Sequence, residues 1–325
     1  MNDPAALATA LAPRPPSPLQ EVRDERFARR GVRLLLKRDD LIHSSLPRDT
    51  DALGPAELFP LGNKWRKLAP NLRAAAEAGA RTLLTFGGAY SNHLRATAAA
   101  GRLLGFATIG VVRGDELADR PPNPSLAQCV ANGMRMHFIT RTAYRRKAEP
   151  EVLSRILRAA TAGEAGELHL IPEGGSNVPA VQGCAELGRE LSGLAEVVAV
   201  ACGTGGTLAG LAAGLAPGQR AIGVPVLKGG FLGAGIRTLQ DAAFGAPTGD
   251  WSLDERFHFG GYARTTPELA SFAADFEARH GLRVERVYVA KMLYALTTLT
   301  EEGAFPRGAT VAAVITGQPE PGASR

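Results

Sequence analysis

Lys64 is the residue of this chain best placed to do chemistry. It stands in the run Leu61-Gly62-Asn63-Lys64-Trp65-Arg66-Lys67, where turn-forming residues give way to a helical pattern. A lysine amine attacks only after it loses its proton, and burial beside other cations favours the neutral form. Arg66 and Lys67 supply such cations. A lone lysine at a helix start is more often a solvated charge, so the case for Lys64 depends on two further segments.

The first of these segments is Cys202-Gly203-Thr204-Gly205-Gly206-Thr207, which follows an apolar run and precedes a helix rich in alanine and leucine. Glycines let backbone N–H groups approach an anion, threonine hydroxyls add donors, and a helix N-terminus favours negative charge. The spacing is not the G-x-G-x-x-G of dinucleotide-binding loops, so it predicts a cup for a single phosphate. The alternative is a purely structural turn between strand and helix.

The second segment is Gly87-Gly88-Ala89-Tyr90-Ser91-Asn92-His93, which also joins a predicted strand to a predicted helix. Helix capping alone can explain Ser91 and Asn92. On the functional interpretation, free N–H groups and the Ser91 hydroxyl bind a substrate carboxylate, while the Asn92 amide hydrogen-bonds a cofactor ring oxygen. His93 can simply pack. A third glycine turn, at 171–177, is interpreted as mostly structural, at the junction of two domains.

Short apolar runs alternate with alanine-rich helical stretches from about Arg33 almost to the end, as in parallel strands covered by helices. The sequence therefore predicts an α/β protein. We predict strands at 33–37, 82–86, 108–112, 135–139, 168–171, 197–201, 221–226 and 310–315. We predict helices at 63–78, 92–104, 124–132, 151–160, 178–191, 206–215, 267–280 and 291–302. Two stretches rich in turn-formers, 13–18 and 44–60, are expected to be irregular.

Composition excludes several classes of protein. A chain of 325 residues with 45% hydrophobic and 21% charged residues can bury a sizeable core. The formal charge of +5 comes from basic residues scattered among acids, so we expect no nucleic-acid partner. The three cysteines have no metal-ligand spacing, which predicts no metal and indicates a reducing compartment. No apolar run suggests a secretory signal or a membrane span, and we expect a cytoplasmic protein.

Several segments, taken in order, carry a family resemblance. They are the Lys64 motif, Ser91-Asn92-His93, Glu173-Gly174-Gly175-Ser176-Asn177, the loop 203–207, Phe259-Gly260-Gly261-Tyr262 and Val287-Tyr288. The chain resembles the 1-aminocyclopropane-1-carboxylate deaminase and D-cysteine desulfhydrase family over nearly its whole length. That family belongs to the pyridoxal phosphate enzymes of the tryptophan synthase β type.

The resemblance implies a two-domain α/β protein of fold type II, each domain a mostly parallel sheet flanked by helices, with pyridoxal 5'-phosphate between the domains. We place the large cofactor-binding domain at 1–66 and 169–325 and the small domain at 67–168. The family's roles make Lys64 the Schiff-base lysine and proton shuttle, Asn92 the partner of the cofactor's 3′-oxygen and Ser91 a substrate contact. Gly203, Thr204, Gly205, Gly206 and Thr207 would hold the phosphate. The resemblance also implies a homodimer.

Tyr262 and Tyr288 match two active-site tyrosines of the family, although either can equally be a core tyrosine. After the second tyrosine the family carries glutamate or threonine facing the pyridine nitrogen, whereas this chain has Val289. Valine cannot hydrogen-bond that nitrogen, which weakens the case for cyclopropane ring opening. Ile315-Thr316-Gly317-Gln318 stands in place of the family's histidine-threonine-glycine-glycine. The stretch 44–60 resembles an insertion, and we favour a surface loop over a lid.

These features predict a lyase or deaminase that removes the Cα proton of a small, D-cysteine-like amino acid. Elimination of the β-substituent would then release a 2-oxo acid and ammonia. Racemisation uses the same carbanion and is the alternative within enzymes. A non-catalytic cofactor-binding relative and a nucleotide-binding protein are the alternatives from other classes.

Overall fold

Strands and helices alternate along most of the chain, as the sequence predicts. The computed structural model describes residue 11 and residues 16–42, 61–162 and 166–319, and the predicted irregular stretch 44–60 lies outside them. The strands are β1 (Leu19–Val22), β2 (Arg33–Lys37), β3 (Thr82–Gly87), β4 (Ala107–Arg113), β5 (Met134–Ile139), β6 (Leu168–Ile171), β7 (Val197–Cys202), β8 (Arg220–Pro225), β9 (Asp250–Leu253) and β10 (Thr310–Val314).

The helices separate these strands. They are α1 (Glu25–Arg29), α2 (Lys64–Glu77), α3 (Asn92–Leu104), α4 (Pro124–Ala131), α5 (Arg141–Arg145), α6 (Pro150–Ala160), α7 (Val178–Glu190), α8 (Gly206–Gly214), α9 (Leu232–Phe244), α10 (Pro267–His280) and α11 (Val289–Glu301). Short 3₁₀ turns lie at Asp39–Leu41, Asp115–Leu117, Glu173–Gly175 and Glu255–Phe257. Within the described ranges, no helix is both long enough and apolar enough to span a membrane.

The larger of two units contains residues 16–42, 61–67 and 176–319. Its sheet has the order β1-β2-β10-β7-β8-β9, in which only the β1–β2 pair is antiparallel. Alternate residues of β7 enter two different apolar clusters, Val197 and Ala199 on one face and Val198 and Val200 on the other. A sheet buried on both faces needs uninterrupted apolar strands, which is what the sequence shows.

On one face of that sheet, α7 and α8 pack backbone against backbone. A Cβ added to Gly210 would lie 2.1 Å from the carbonyl oxygen of Val181, and one added to Gly188 would lie 2.3 Å from that of Leu211. Only glycine allows so close an approach. The N-terminus of α8 is therefore held by a tightly packed helix pair.

The smaller unit includes residues 68–162 and 166–175. Its four strands are all parallel, in the order β5-β4-β3-β6, and Val111 and Val112 of β4 enter apolar clusters on opposite faces. The carboxyl ends of parallel strands are where ligands bind in such sheets. The turn that carries Ser91 follows β3 at this edge.

The α/β prediction is confirmed, and all eight predicted strands and eight predicted helices are present with ends within two residues. The sequence did not predict β1, β9, α1, α5 or α9. β1 and β9 are four-residue edge strands without a continuous apolar run, and α9 contains Gly233 and Gly235, which weaken a helical pattern. The predicted domain boundary at 168 and 169 falls inside β6, which pairs with β3.

Candidate active site

Lys64 is the first residue of α2, and the residues on either side of it are anchored to one buried carboxylate. The Asn63 side-chain amide donates to Asp39 Oδ2 at 2.9 Å. Arg66 donates to the same carboxylate through Nε and Nη2, both at 2.8 Å. Burial would raise the pKa of Asp39, but the Arg66 guanidinium outweighs it and holds that pKa below its ordinary value. Asp39 thus fixes the backbone that carries Lys64.

Arg66 belongs to a buried ionic network rather than to the surroundings of the Lys64 amine. Its Nη1 and Nη2 donate to the two oxygens of Glu190 at 2.8 Å, and Lys37 Nζ lies 2.6 Å from Glu190 Oε2. Two carboxylates therefore compensate this guanidinium. The expectation that Arg66 helps to deprotonate Lys64 was wrong, because residues distant in sequence neutralise its charge.

The Lys64 amine has the properties of a nucleophile. Burial first, and the charge of Lys67 second, lower its pKa from 10.5 to about 7. A lysine with that pKa is substantially neutral near pH 7 and can attack a carbonyl carbon. The predicted contribution of Lys67 is therefore confirmed.

The loop Cys202–Thr207 joins β7 to α8, as predicted, and its glycines are required by their neighbours. Gly205 has φ +82° at the N-cap of α8, and a Cβ there would lie 2.5 Å from Ile236 Cγ1. A Cβ on Gly206 would lie 2.6 Å from the hydroxyl oxygen of Ser176. The first N–H groups of a helix lack intrahelical acceptors, so this end of α8 can accept a phosphate.

Hydrogen bonds connect the Lys64 segment to this loop. Thr207 donates through Oγ1 to Asn63 Oδ1 at 3.2 Å, and Lys67 Nζ donates to Ser176 Oγ at 3.4 Å. The hydroxyls of Ser176 and Thr204 share a hydrogen bond at 2.5 Å. The larger unit thus places Lys64 and the glycine loop at one location.

Lys67 and Ser176 lie beside the loop Cys202–Thr207, a position that the sequence did not reveal. Lys67 is buried, and a Cβ on Gly206 would lie 3.1 Å from its Nζ. Its position three residues after Lys64, on the same side of a helix, was the available signal. Ser176 lies in the turn interpreted as mostly structural. Its neighbour Asn177 does cap α7, but Ser176 itself contacts the phosphate loop.

Tyr288 and Tyr262 lie together in the larger unit, their ring centroids 6.1 Å apart with an interplanar angle of 70°. Tyr288 borders the glycine loop, since a Cβ on Gly203 would lie 3.3 Å from its hydroxyl oxygen. Glu285 caps the segment by accepting from the backbone N–H of Tyr288 at 2.7 Å and of Val289 at 3.1 Å. The Val289 side chain is buried in the apolar core.

A buried lysine holds the turn that carries Tyr262. Lys291 Nζ donates to the carbonyl oxygens of His258 at 2.9 Å and Gly261 at 2.8 Å. Burial lowers the pKa of Lys291 to about 8. Because Lys291 lies in the first turn of α11, directly after Tyr288, it ties the two tyrosine segments together.

Ser91, Asn92 and His93 lie at the start of α3 in the smaller unit. Ser91 is the N-cap, and its hydroxyl accepts from the N–H of Leu94 at 3.2 Å. Arg95 donates to the amide oxygen of Asn92. His93 is buried, with Nε2 2.9 Å from the hydroxyl of Thr85, which confirms the packing role. The capping interpretation of Ser91 is confirmed, and its contact with substrate stays a prediction.

Comparison with known proteins assigns this constellation to a family. A family model described as pyridoxal-phosphate dependent enzyme matches residues 60–317, which include Lys64, all three glycine turns, Tyr262 and Tyr288. The chain belongs to this family. Its members depend on pyridoxal phosphate, and the chain is accordingly a pyridoxal-phosphate-dependent enzyme.

Three similar proteins illustrate where in this family the chain lies. A putative 1-aminocyclopropane-1-carboxylate deaminase of Pyrococcus horikoshii is 28% identical over 284 residues, covering 84% of this chain and 81% of that protein. A bifunctional D-cysteine desulfhydrase/1-aminocyclopropane-1-carboxylate deaminase of Arabidopsis thaliana is 32% identical over 198 residues, 57% of this chain and 45% of that protein. A crystal structure of a 1-aminocyclopropane-1-carboxylate deaminase homologue superposes with a TM-score of 0.74 and 25% identity, covering 96% of this chain and 94% of that one.

The residues of this pyridoxal-phosphate-dependent enzyme fit the cofactor. Glycine at positions 205 and 206 leaves the start of α8 without side chains there, and the loop Cys202–Thr207 lies beside the buried ammonium of Lys67, as a phosphate requires. Lys64, whose pKa is lowered to about 7, directly follows Asn63, whose side-chain oxygen accepts a hydrogen bond from Thr207 of that loop. An amine with a lowered pKa and a glycine-rich helix N-terminus therefore occur in one unit.

Proposed function

We propose that this enzyme removes the Cα proton of a small, D-cysteine-like amino acid and eliminates its β-substituent, after which water hydrolyses the resulting enamine to a 2-oxo acid and ammonia. The observation that carries the proposal is the attachment of Lys64, with a pKa of about 7, to the glycine loop through Asn63 and Thr207. The names of the similar proteins, D-cysteine desulfhydrase and 1-aminocyclopropane-1-carboxylate deaminase, support a lyase or deaminase.

Each part of the larger unit has a role in this reaction. Gly203 to Thr207 and the Lys67 ammonium hold the cofactor's phosphate. With the cofactor bound, Lys64 would hold it covalently before the reaction, and the Lys64 amine would take the Cα proton of the substrate. The bound cofactor supplies an electron sink for the negative charge that develops at Cα. Tyr288 or Tyr262 donates a proton to the departing β-substituent.

The smaller unit supplies two groups in the proposed mechanism. The amide of Asn92 hydrogen-bonds the 3′-oxygen of the cofactor, and the Ser91 turn binds the substrate's carboxylate. Backbone N–H groups at a helix start suit a carboxylate because the helix dipole favours negative charge there. Both roles are carried from the family resemblance to the residues at the start of α3.

Val289 favours elimination from an open-chain amino acid over cyclopropane ring opening. Its side chain carries no polar atom and is buried in the core. By the family resemblance, this is the position at which other members carry glutamate or threonine. Without a hydrogen-bonding partner from this residue, the pyridine nitrogen gains less positive charge and the electron sink is weaker. Breaking a carbon–carbon bond requires the stronger sink, so we propose that 1-aminocyclopropane-1-carboxylate is a poor substrate.

A substrate panel tests the proposal. The holoenzyme is incubated with D- and L-cysteine, D- and L-serine, other D- and L-amino acids and 1-aminocyclopropane-1-carboxylate, and 2-oxo acid, ammonia and the enantiomer of the remaining substrate are measured. We expect 2-oxo acid from D-cysteine and none with Lys64→Ala. Enantiomer exchange without 2-oxo acid indicates a racemase, and cofactor binding without either product indicates a non-catalytic relative; both outcomes contradict the proposal.

A further inference from the structure

Arg95 is a buried cation that the proposed reaction does not use. Its side chain is 2% exposed, and it lies three residues after Asn92 on the same side of α3. Its Nη2 donates to the amide oxygen of Asn92. An arginine buried at this depth, next to a residue proposed to contact the cofactor, calls for an explanation beyond packing.

The contact dictates how the Asn92 amide is oriented. A guanidinium has only donors, whereas a side-chain amide has one acceptor oxygen and one donor NH₂ group. The amide oxygen must therefore point to Arg95, and the NH₂ group points away from it. Rotating the amide by half a turn would set its NH₂ donors against the donors of a buried guanidinium and leave hydrogen bonds unmade.

We infer that Arg95 is a positioning residue that holds the Asn92 amide as a hydrogen-bond donor toward the 3′-oxygen of pyridoxal phosphate. The inference rests on the proposed role of Asn92. An oriented donor stabilises the ionised form of the oxygen that it faces, since hydrogen bonds to a charged group favour that group. The guanidinium polarises the amide and strengthens this effect.

A double-mutant cycle with matched controls tests the inference. The variants are Asn92→Ala, Arg95→Met, Arg95→Lys and the Asn92→Ala/Arg95→Met double variant. Arg102→Met is the control, because Arg102 lies on the same helix and its guanidinium donates to a backbone carbonyl, that of Ala131. The dissociation constant for pyridoxal phosphate and the visible absorption spectrum of the loaded protein are measured, with thermal unfolding to verify folding.

We expect Asn92→Ala and Arg95→Met each to weaken cofactor binding by about tenfold, as loss of one good hydrogen bond does, and to change the absorption spectrum in the same way. Arg95→Lys, which keeps a cation with donors only, should retain most of the wild-type affinity and spectrum. Because both residues act through one amide, the double variant should bind the cofactor at most about twofold more weakly than either single variant. Arg102→Met should match the wild type.

The outcomes separate the two claims. If Asn92→Ala changes affinity and spectrum while Arg95→Met changes neither, Arg95 does not position the amide and Asn92 keeps its role. Fully additive effects overturn the inference too, because Arg95 then acts elsewhere. If Asn92→Ala binds the cofactor and absorbs as the wild type does, the proposed role of Asn92 is contradicted, and the inference about Arg95 is contradicted with it. Should Arg95→Met not fold, Arg95→Lys decides, since loss of the wild-type spectrum with Lys would contradict the inference.

Discussion

Lys67 lies three residues after Lys64 in the first turn of α2, and its charge adds to the effect of burial in lowering the pKa of Lys64. The same ammonium lies beside Gly206 and hydrogen-bonds Ser176 at the proposed phosphate site. One cation therefore serves both the reactivity of Lys64 and the binding of the phosphate.

Replacing Lys67 by Met should separate these two effects. Loss of the positive charge raises the pKa of Lys64, so covalent loading with pyridoxal phosphate should need a higher pH. Loss of a charge-assisted hydrogen bond should also weaken binding of the phosphate by about tenfold or more. The loading rate against pH, and competition by inorganic phosphate, are the measurements. The exposed Lys228→Met serves as the control, and an unchanged pH midpoint in Lys67→Met would count against the coupling.

The cofactor-free protein should become more stable as the pH rises from about 7 to about 9; above that, the buried thiols of Cys184 and Cys202, whose pKa values burial raises, ionise in the unfolded chain and offset the gain. The pKa of Lys64 is about 7 in the folded protein against 10.5 as the ordinary value, so within that window the unfolded chain binds the extra proton. For one proton, the free energy of unfolding changes by at most about 1.4 kcal/mol per pH unit. Lys291, with a pKa of about 8, contributes in the upper part of the window.

Lys64→Met should flatten that dependence and stabilise the cofactor-free protein near pH 7, because the desolvated amine is gone. Urea unfolding at several pH values checks this. The slope that remains in Lys64→Met should come from Lys291 and Lys67, because burial lowers the pKa of both amines. Parallel curves for the two proteins would show that Lys64 titrates normally.

Asp39→Asn should strongly destabilise the protein. Asp39 is buried and receives hydrogen bonds from Arg66, Asn63 and Ser17, so its loss leaves charge uncompensated at the centre of the site. Breaking one partner of a buried ion pair typically costs about 3–5 kcal/mol. The control is Glu21→Gln, which removes an exposed ion pair with Arg33 and should change little. Equal urea midpoints for the two variants would refute this view of Asp39.

Lys291→Met should lower turnover more than it alters substrate binding. The carbonyl oxygens of His258 and Gly261 lose their donor, and the turn that carries Tyr262 loses its anchor to α11. We expect kcat to fall at least about tenfold, toward the value of Tyr262→Phe, because both changes act on the same group. Steady-state kinetics on a substrate from the panel gives the comparison. A rise in KM at constant kcat would assign Lys291 to binding instead.

Gly210→Ala should destabilise the α7–α8 pair. The added methyl would lie 2.1 Å from the carbonyl oxygen of Val181, so the two backbones must separate. Overpacking of this kind costs about 1–3 kcal/mol or more, and it should also weaken cofactor binding, because α8 starts at the phosphate loop. Gly235→Ala in α9 has open space around it and should instead stabilise by about 0.5–1 kcal/mol. Thermal unfolding of both variants tests the contrast.

Local patterns predicted the regular structure well, and they failed where long-range contacts decide. The apolar runs that became β7 and β10 are central strands, and their burial on both faces is visible in composition alone. The charge balance of Arg66 cannot be predicted from local sequence, because its partners Asp39 and Glu190 lie 27 and 124 residues away. Ser176 was missed for the same reason, since Thr204 is 28 residues distant.

The glycine contacts between α7 and α8 also bear on the thermodynamics of cofactor capture. Helices in backbone contact have few alternative arrangements, so the N-terminal N–H groups of α8 are already oriented before a phosphate arrives. A preorganised loop loses little conformational entropy on binding. The ordering cost of assembling the active site should therefore arise mainly from side chains, Lys64 among them, rather than from this backbone.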